Sequence, residues 1–159
     1  MTSERLNIER QILLEYLPAK QFRLTQDELL IAVQTNSLRV YTVKIDLTND
    51  YPYNIPKALV VSPKPLKDYY GRPMLEASHP MHTLPAENGC TRICHYGTVD
   101  WFPGCTLYQV YVKIRTWLEI YEYHLRTGRP LDNILTTALE KSQTIKNRYN
   151  ECYRLYRYR

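Results

Sequence analysis

Most of the residues able to do covalent or metal chemistry in this chain of 159 residues fall between positions 79 and 105: His79, His82, Cys90, Cys94, His95 and Cys105. Among them, the run Arg92-Ile93-Cys94-His95 suits acyl transfer. A cysteine sulfur attacks one thioester and becomes the next, because it is both a good nucleophile and a good leaving group. A free thiol has a pKa of roughly 8.5, so neighbouring positive charge helps at neutral pH. Arg92 and His95 flank Cys94 and are expected to favour its thiolate. When an amine then attacks the thioester carbonyl, a donor near the developing oxyanion lowers the barrier. Asp100, on the far side of the cysteine, can orient or deprotonate that amine; the plainer alternative is a solvated loop carboxylate.

The same residues allow other chemistry. His79, His82, Cys90 and Cys94 offer imidazole and thiolate ligands, so a zinc site, structural or hydrolytic, competes with the nucleophile. The spacing His-x2-His with Cys-x3-Cys lacks the tight pairing of structural zinc sites, and no bound metal is expected. Cys105 beside Thr106, at the start of a helix, is the rival nucleophile through the helix dipole, or else a packed residue. Cys94 can itself be a small buried thiol beside Ile93, which would make the protein a binding module without activity. With five glycines and no Gly-rich phosphate loop, activation of a substrate by ATP is not expected, nor is any cofactor.

The elements that must position these residues follow from periodicity. Residues 3 to 17 predict a helix with Ser3 as N-cap, Leu6, Leu13 and Leu17 near one face, and Pro18 as its stop, packing as a lid on a sheet. Phe22 to Val61 predicts a meander of four antiparallel strands, clearest from Arg39 to Leu47, where Tyr41, Val43, Ile45 and Leu47 alternate with polar residues. Leu29 to Gln34 and Ala58 to Val61 supply neighbours. Ser62 to Gly104 reads as a long functional loop. Thr106-Leu107-Tyr108-Gln109 is a capping box opening a helix with Leu107, Val110, Ile114, Trp117, Leu118, Tyr121 and Leu125 at helical spacing, closed by Gly128 and Pro130. A last helix, with Leu131, Ile134, Leu135, Ala138, Leu139 and Ile145 inward, leads into a Tyr/Arg tail.

Composition, 44% hydrophobic and 23% charged, fits one α/β (α+β) globular domain over residues 1 to 159. Residues 141 to 159 carry six Lys or Arg against Glu151 alone, a surplus that equals the whole net charge of +5. The remaining body has 15 basic and 15 acidic residues, so an acidic partner is expected at the tail and not on a basic face of the domain. The tail interleaves rings and guanidiniums, but one short terminus favours a solvated helix face over nucleic-acid binding. Cys152 stands in it without an evident partner. The charged N-terminus and the lack of a long apolar run predict a cytoplasmic protein with thiols reduced and no membrane contact.

Three motifs spread over most of the chain resemble those of ubiquitin-conjugating enzymes. Tyr51-Pro52-Tyr53-Asn54-Ile55-Pro56 is similar to the Tyr-Pro-x-x-Pro-Pro element before their fourth strand, and Ile93-Cys94-His95-Tyr96 with Trp101 and Pro103 to their active-site segment. Thr116-Trp117-Leu118-Glu119-Ile120-Tyr121-Glu122 leading to Thr127-Gly128 resembles a segment of compact prokaryotic relatives from antiviral (CBASS) operons of cyclic-oligonucleotide signalling. The resemblance implies a ubiquitin-conjugating fold in which Cys94 accepts a partner protein's C-terminus from a separate activating enzyme. It then passes that C-terminus to an acceptor amine. The carried partner is implied to be a cGAS-like nucleotidyltransferase or a ubiquitin-like protein. Where the family has His-Pro-Asn, this chain has His79-Pro80-Met81, so the oxyanion-stabilising asparagine is missing there; Asn88, His82 or a backbone N–H remain as stand-ins.

Overall fold

The structure is a computed structural model that describes residues 1–134. Helix α1 spans Ser3–Tyr16, followed by a single 3-10 turn at Ala19–Gln21. Strands β1 (Phe22–Leu24), β2 (Glu28–Gln34), β3 (Val40–Asp46) and β4 (Lys57–Ser62) come next, then β5 (Thr83–Glu87), β6 (Cys90–Ile93) and helix α2 (Leu107–Thr127). The architecture is α+β: one six-stranded sheet, antiparallel throughout, in the order β1-β2-β3-β4-β6-β5. The expected last helix beyond Ile134, with Leu135, Ala138, Leu139 and Ile145, and the Tyr/Arg tail with Cys152 lie outside the described residues.

The meander forms where the alternation placed it. Leu29, Ile31 and Val33 of β2 and Tyr41, Val43 and Ile45 of β3 are buried while the residues between them are not, so these strands turn one face to the core. Two further strands extend the sheet beyond the four expected. Both arise within the stretch from Ser62 to Gly104, where β5 and β6 make a hairpin that pairs with β4 through β6. Asn88 and Gly89 join them with φ of 52° and 71°, the left-handed pair that a tight hairpin turn requires. Asn-Gly is a strong hairpin signal, but the strands beside it are short and β5 contains Pro85, so alternation did not reveal them. On the outer side of β5, Thr83 exchanges both backbone hydrogen bonds with Ser78 at 3.1 Å, and Ala86 N–H donates to Leu75 O at 2.8 Å.

Helix α2 begins with the expected capping box: Gln109 N–H donates to Thr106 Oγ1 at 3.3 Å and Thr106 N–H donates to Gln109 Oε1 at 2.9 Å. It ends at Gly128, whose φ of 71° provides the left-handed cap. Leu107, Val110, Ile114, Trp117, Leu118 and Tyr121 are buried as their spacing predicts. The N-cap of α1 is Thr2, one residue before the expected Ser3, because Thr2 has the extended backbone and its side chain accepts from Arg5 N–H at 3.3 Å. Helix α1 packs chiefly against α2, so the two helices share the covering role expected of α1 alone. Its Glu9 is fully buried. Arg5 pairs with it at 2.7 Å, Tyr51 Oη donates to Oε1, and Leu107 N–H at the start of α2 donates to Oε2 at 2.8 Å. Those partners offset the desolvation of the charge. Among the described residues no helix is long and apolar enough to cross a membrane.

Candidate active site at Cys94

Strand β6 delivers Cys94. Ile93 is anchored in the core with 1% exposure and pairs with Thr83, and one residue farther Cys94 N–H donates to His82 O at 2.9 Å. The cysteine backbone is thus clamped at the end of the hairpin where it leaves the sheet. Its thiol is half-buried, whereas those of Cys90 and Cys105 are 5% and 3% exposed. Cys90 Sγ lies 3.8 Å from Asn88 O and Cys105 Sγ lies 3.9 Å from Asp100 O. These two are packed residues, and Cys105 at the helix start is closed to solvent.

Cys94 opens into a pocket of about 510 Å³ between the segment 94–97 and the face of α2 carrying Val112, Lys113, Thr116, Trp117 and Ile120, with His82 and Leu131 at its end. Trp117, expected only as core, also forms the wall, and its Nε1 donates to Met81 O at 3.2 Å. Lys113 Nζ sits 4.4 Å from the centroid of the Tyr96 ring. Tyr96 packs edge-on against Trp101 at 5.1 Å, and Trp101 Nε1 donates to Pro52 O at 2.9 Å, tying the loop after the cysteine to the Tyr51-Pro52 element. Burial, reinforced by Cys105 and Asp100, pushes the Tyr96 hydroxyl up to about 12. It remains a neutral phenol at physiological pH.

The flanking cations do not act as the sequence suggested. Burial first, then repulsion from Lys113 and Arg92, pushes the His95 imidazole down to about 4 against the opposing hydrogen bond to Ile93 O. It is therefore neutral at pH 7, with Nε2 buried and without a hydrogen-bond partner. Arg92 is turned to Glu87, with Nη1 at 3.1 Å. The cation that does line the Cys94 pocket is Lys113, which sequence reading missed because it is one exposed lysine on a helix.

The supporting residues separate into two groups. His82 is at the Cys94 pocket with φ of 49°, a region sparsely used by residues other than glycine. Its Nε2 lies 2.5 Å from Asp132 Oδ1, and His79 Nδ1 lies 3.0 Å from Asp132 Oδ2, so one carboxylate bridges both histidines. Asp132 N–H donates to Pro80 O at 3.1 Å, which docks the segment after α2 onto the His79-Pro80 turn. Asp132 was not foreseen; its signal was its place just after Pro130, where the last helix was expected to begin. Asn88 forms the hairpin turn at the opposite end of β6, on the order of 15 Å from Cys94, and cannot reach its acyl group. Asp100 is exposed, closes the 97–100 turn through a 3.1 Å hydrogen bond from its N–H to Gly97 O, and does not line the pocket.

Cys90 and Cys94 stand at opposite ends of β6, so the four metal ligands proposed from sequence do not converge. Among the described residues no cluster of three or more His, Cys, Asp or Glu is placed to hold a metal ion. The Cys94 N–H is spent on His82, whereas those of His95, Tyr96 and Gly97 have no backbone acceptor among the described residues. They follow the cysteine directly in the segment that borders the pocket. The site thus combines an accessible thiol, adjacent free N–H groups, a lysine and an aspartate-held imidazole around one pocket. No protein-family model, curated protein or solved structure matches the chain.

Proposed function

We propose that the protein is a ubiquitin-conjugating-like acyl carrier, in which Cys94 holds the C-terminus of a partner protein as a thioester and passes it to an amine. The observation that carries this reading is the contrast among the described cysteines: Cys94 alone combines a clamped backbone with a thiol facing a pocket. The order α1, antiparallel meander, cysteine-bearing segment and α2, with Trp101 tied to Pro52, supports the ubiquitin-conjugating arrangement that the motifs imply.

In the first step the Cys94 thiolate attacks an incoming thioester, a C–S bond forms to Cys94, and the donor thiolate leaves. In the second, an amine attacks the carbonyl and Cys94 leaves as thiolate. The carried protein in this reading is a cGAS-like nucleotidyltransferase or a ubiquitin-like protein, supplied by an activating enzyme, in cytoplasmic antiviral defence. The free N–H groups of residues 95–97 take the oxyanion role left vacant by Met81.

The test is charging with a peptide thioester of mercaptoethanesulfonate, read by intact mass. The wild type gains one acyl group that thiol reductant removes. Cys94→Ala gains none, Cys94→Ser gives at most a thiol-resistant oxyester, and Cys90→Ala or Cys105→Ala charges normally. Acylation that survives in Cys94→Ala and is lost in Cys105→Ala refutes the assignment.

A further inference from the structure

We infer that His82, held by Asp132, is the base that takes the proton from the amine attacking the Cys94 thioester; the inference rests on the acyl-carrier reading. Three observations converge. His82 O accepts the Cys94 N–H at 2.9 Å, so the two backbones are adjacent. His82 and Cys94 line the same pocket of about 510 Å³. Asp132 holds His82 Nε2 through Oδ1, which fixes the ring and, in the neutral imidazole, leaves the lone pair on Nδ1. The second oxygen of Asp132 is engaged by His79 at 3.0 Å, so the carboxylate acts through the imidazole rather than on the amine.

The arrangement differs from a nucleophile paired with its base. The sulfur hydrogen bonds among the described residues belong to Cys90 and Cys105, and Cys94 Sγ makes none. Both residues line the pocket of about 510 Å³ in which a reactant would sit. In the discharge step Cys94 leaves as a thiolate and itself needs no base. An alkyl amine does need one: at neutral pH it is mostly an ammonium ion of pKa roughly 10.4, and once it has attacked it must shed a proton to become an amide.

The amine lone pair forms the C–N bond, the C–S bond breaks, and its electrons leave on Cys94. The nitrogen proton goes to His82 Nδ1 and from there to the Cys94 thiolate or to water. The products are an amide and the free thiol. The groups facing His82 are Asp132 and His79 from the two segments flanking it, Cys94 and the neutral His95 from the strand end, and Lys113 from α2. Lys113 places positive charge on the wall of the pocket that an acylated Cys94 would face.

The experiment uses the full chain charged on Cys94 with the peptide thioester and follows discharge to free lysine and, separately, to mercaptoethanesulfonate. A thiolate acceptor brings no proton, so it does not need the base. His82→Gln is expected to slow discharge to lysine roughly 100-fold and discharge to the thiol by less than about 3-fold. Asp132→Asn, which keeps a hydrogen-bonding side chain, is expected to slow lysine discharge about 10-fold. An equal loss with both acceptors would mean that His82 only shapes the pocket and would overturn the inference. So would a wild-type rate to lysine in His82→Gln. A wild type that takes no acyl group on Cys94 overturns the acyl-carrier reading together with this one, while a charged protein indifferent to His82 overturns only the base.

Discussion

Glu9 and Asp132 are two carboxylates doing opposite work. Glu9 is fully buried under the start of α2 and satisfied on both oxygens by Arg5, Tyr51 and Leu107 N–H. Asp132, with 32% of its side chain exposed, bridges two histidines beside Cys94. The first is surrounded by groups that cannot change protonation state near neutral pH: a guanidinium, a backbone amide, and a phenol whose ionisation burial and Glu9 push far up. The second meets two imidazoles at the rim of a pocket. A carboxylate's partners, more than its burial, separate a fixed strut from a group that could serve the proposed proton transfer.

The largest expected effect tests the strut. Glu9→Ala strips Arg5 of its counter-charge and Leu107 N–H of its acceptor, while Arg5 and Tyr51 keep the Cys105 carbonyl, and should cost about 3–5 kcal/mol in denaturant unfolding. Asp132→Ala should cost less than about 1 kcal/mol, because its pairs are partly solvated. Equal losses would erase the distinction.

A second test contrasts the histidines. His95, with its folded pKa depressed from 6.5 to about 4, binds fewer protons folded than unfolded between those values. The stability it contributes is therefore intact above about pH 6.5 and falls as pH drops towards 4, by about 3 kcal/mol at most. His95→Leu should flatten that acid limb in urea midpoints measured from pH 7 to 4; an unchanged limb would place the titrating group elsewhere.

The smallest effect probes the helix end that Glu9 serves. Thr106→Ala removes the acceptor for Gln109 N–H and should cost about 1 kcal/mol. Because Glu9 and Thr106 satisfy different amides of the same turn, a double-mutant cycle should show coupling beyond about 0.5 kcal/mol. Strict additivity would mean that the two act on independent parts of the helix start.

Sequence periodicity made much of the fold legible. The alternation in Val40–Asp46, the Thr106–Gln109 box and the Gly128 stop all rest on local rules that tertiary context left intact. The β5–β6 hairpin was not legible by alternation, since four- and five-residue strands carry too few turns of the pattern and Pro85 argues against one of them. Of the candidate site, Cys94 and His82 share one pocket, Asn88 is a turn residue at the far end of β6, and Asp100 lies beside Gly97 in the 97–100 turn without lining the pocket. Their types matched the chemistry, and only the fold shows which of them meet the pocket. Asp132, Lys113 and the buried Glu9 and Glu122 escaped for the same reason: a charged residue in sequence looks solvated until the fold supplies its partners.

The outer side of β5 governs how this protein meets other copies of itself. A bare sheet edge invites strand addition from any extended chain, including a neighbour's. Here the Ser78 and Leu75 backbone already occupies the outward groups of Thr83 and Ala86, and Pro85 between them has no N–H to offer. The opposite edge, β1, is three residues long. Among the described residues, a sheet covered in this way at one margin and short at the other offers an extended chain few main-chain groups to pair with.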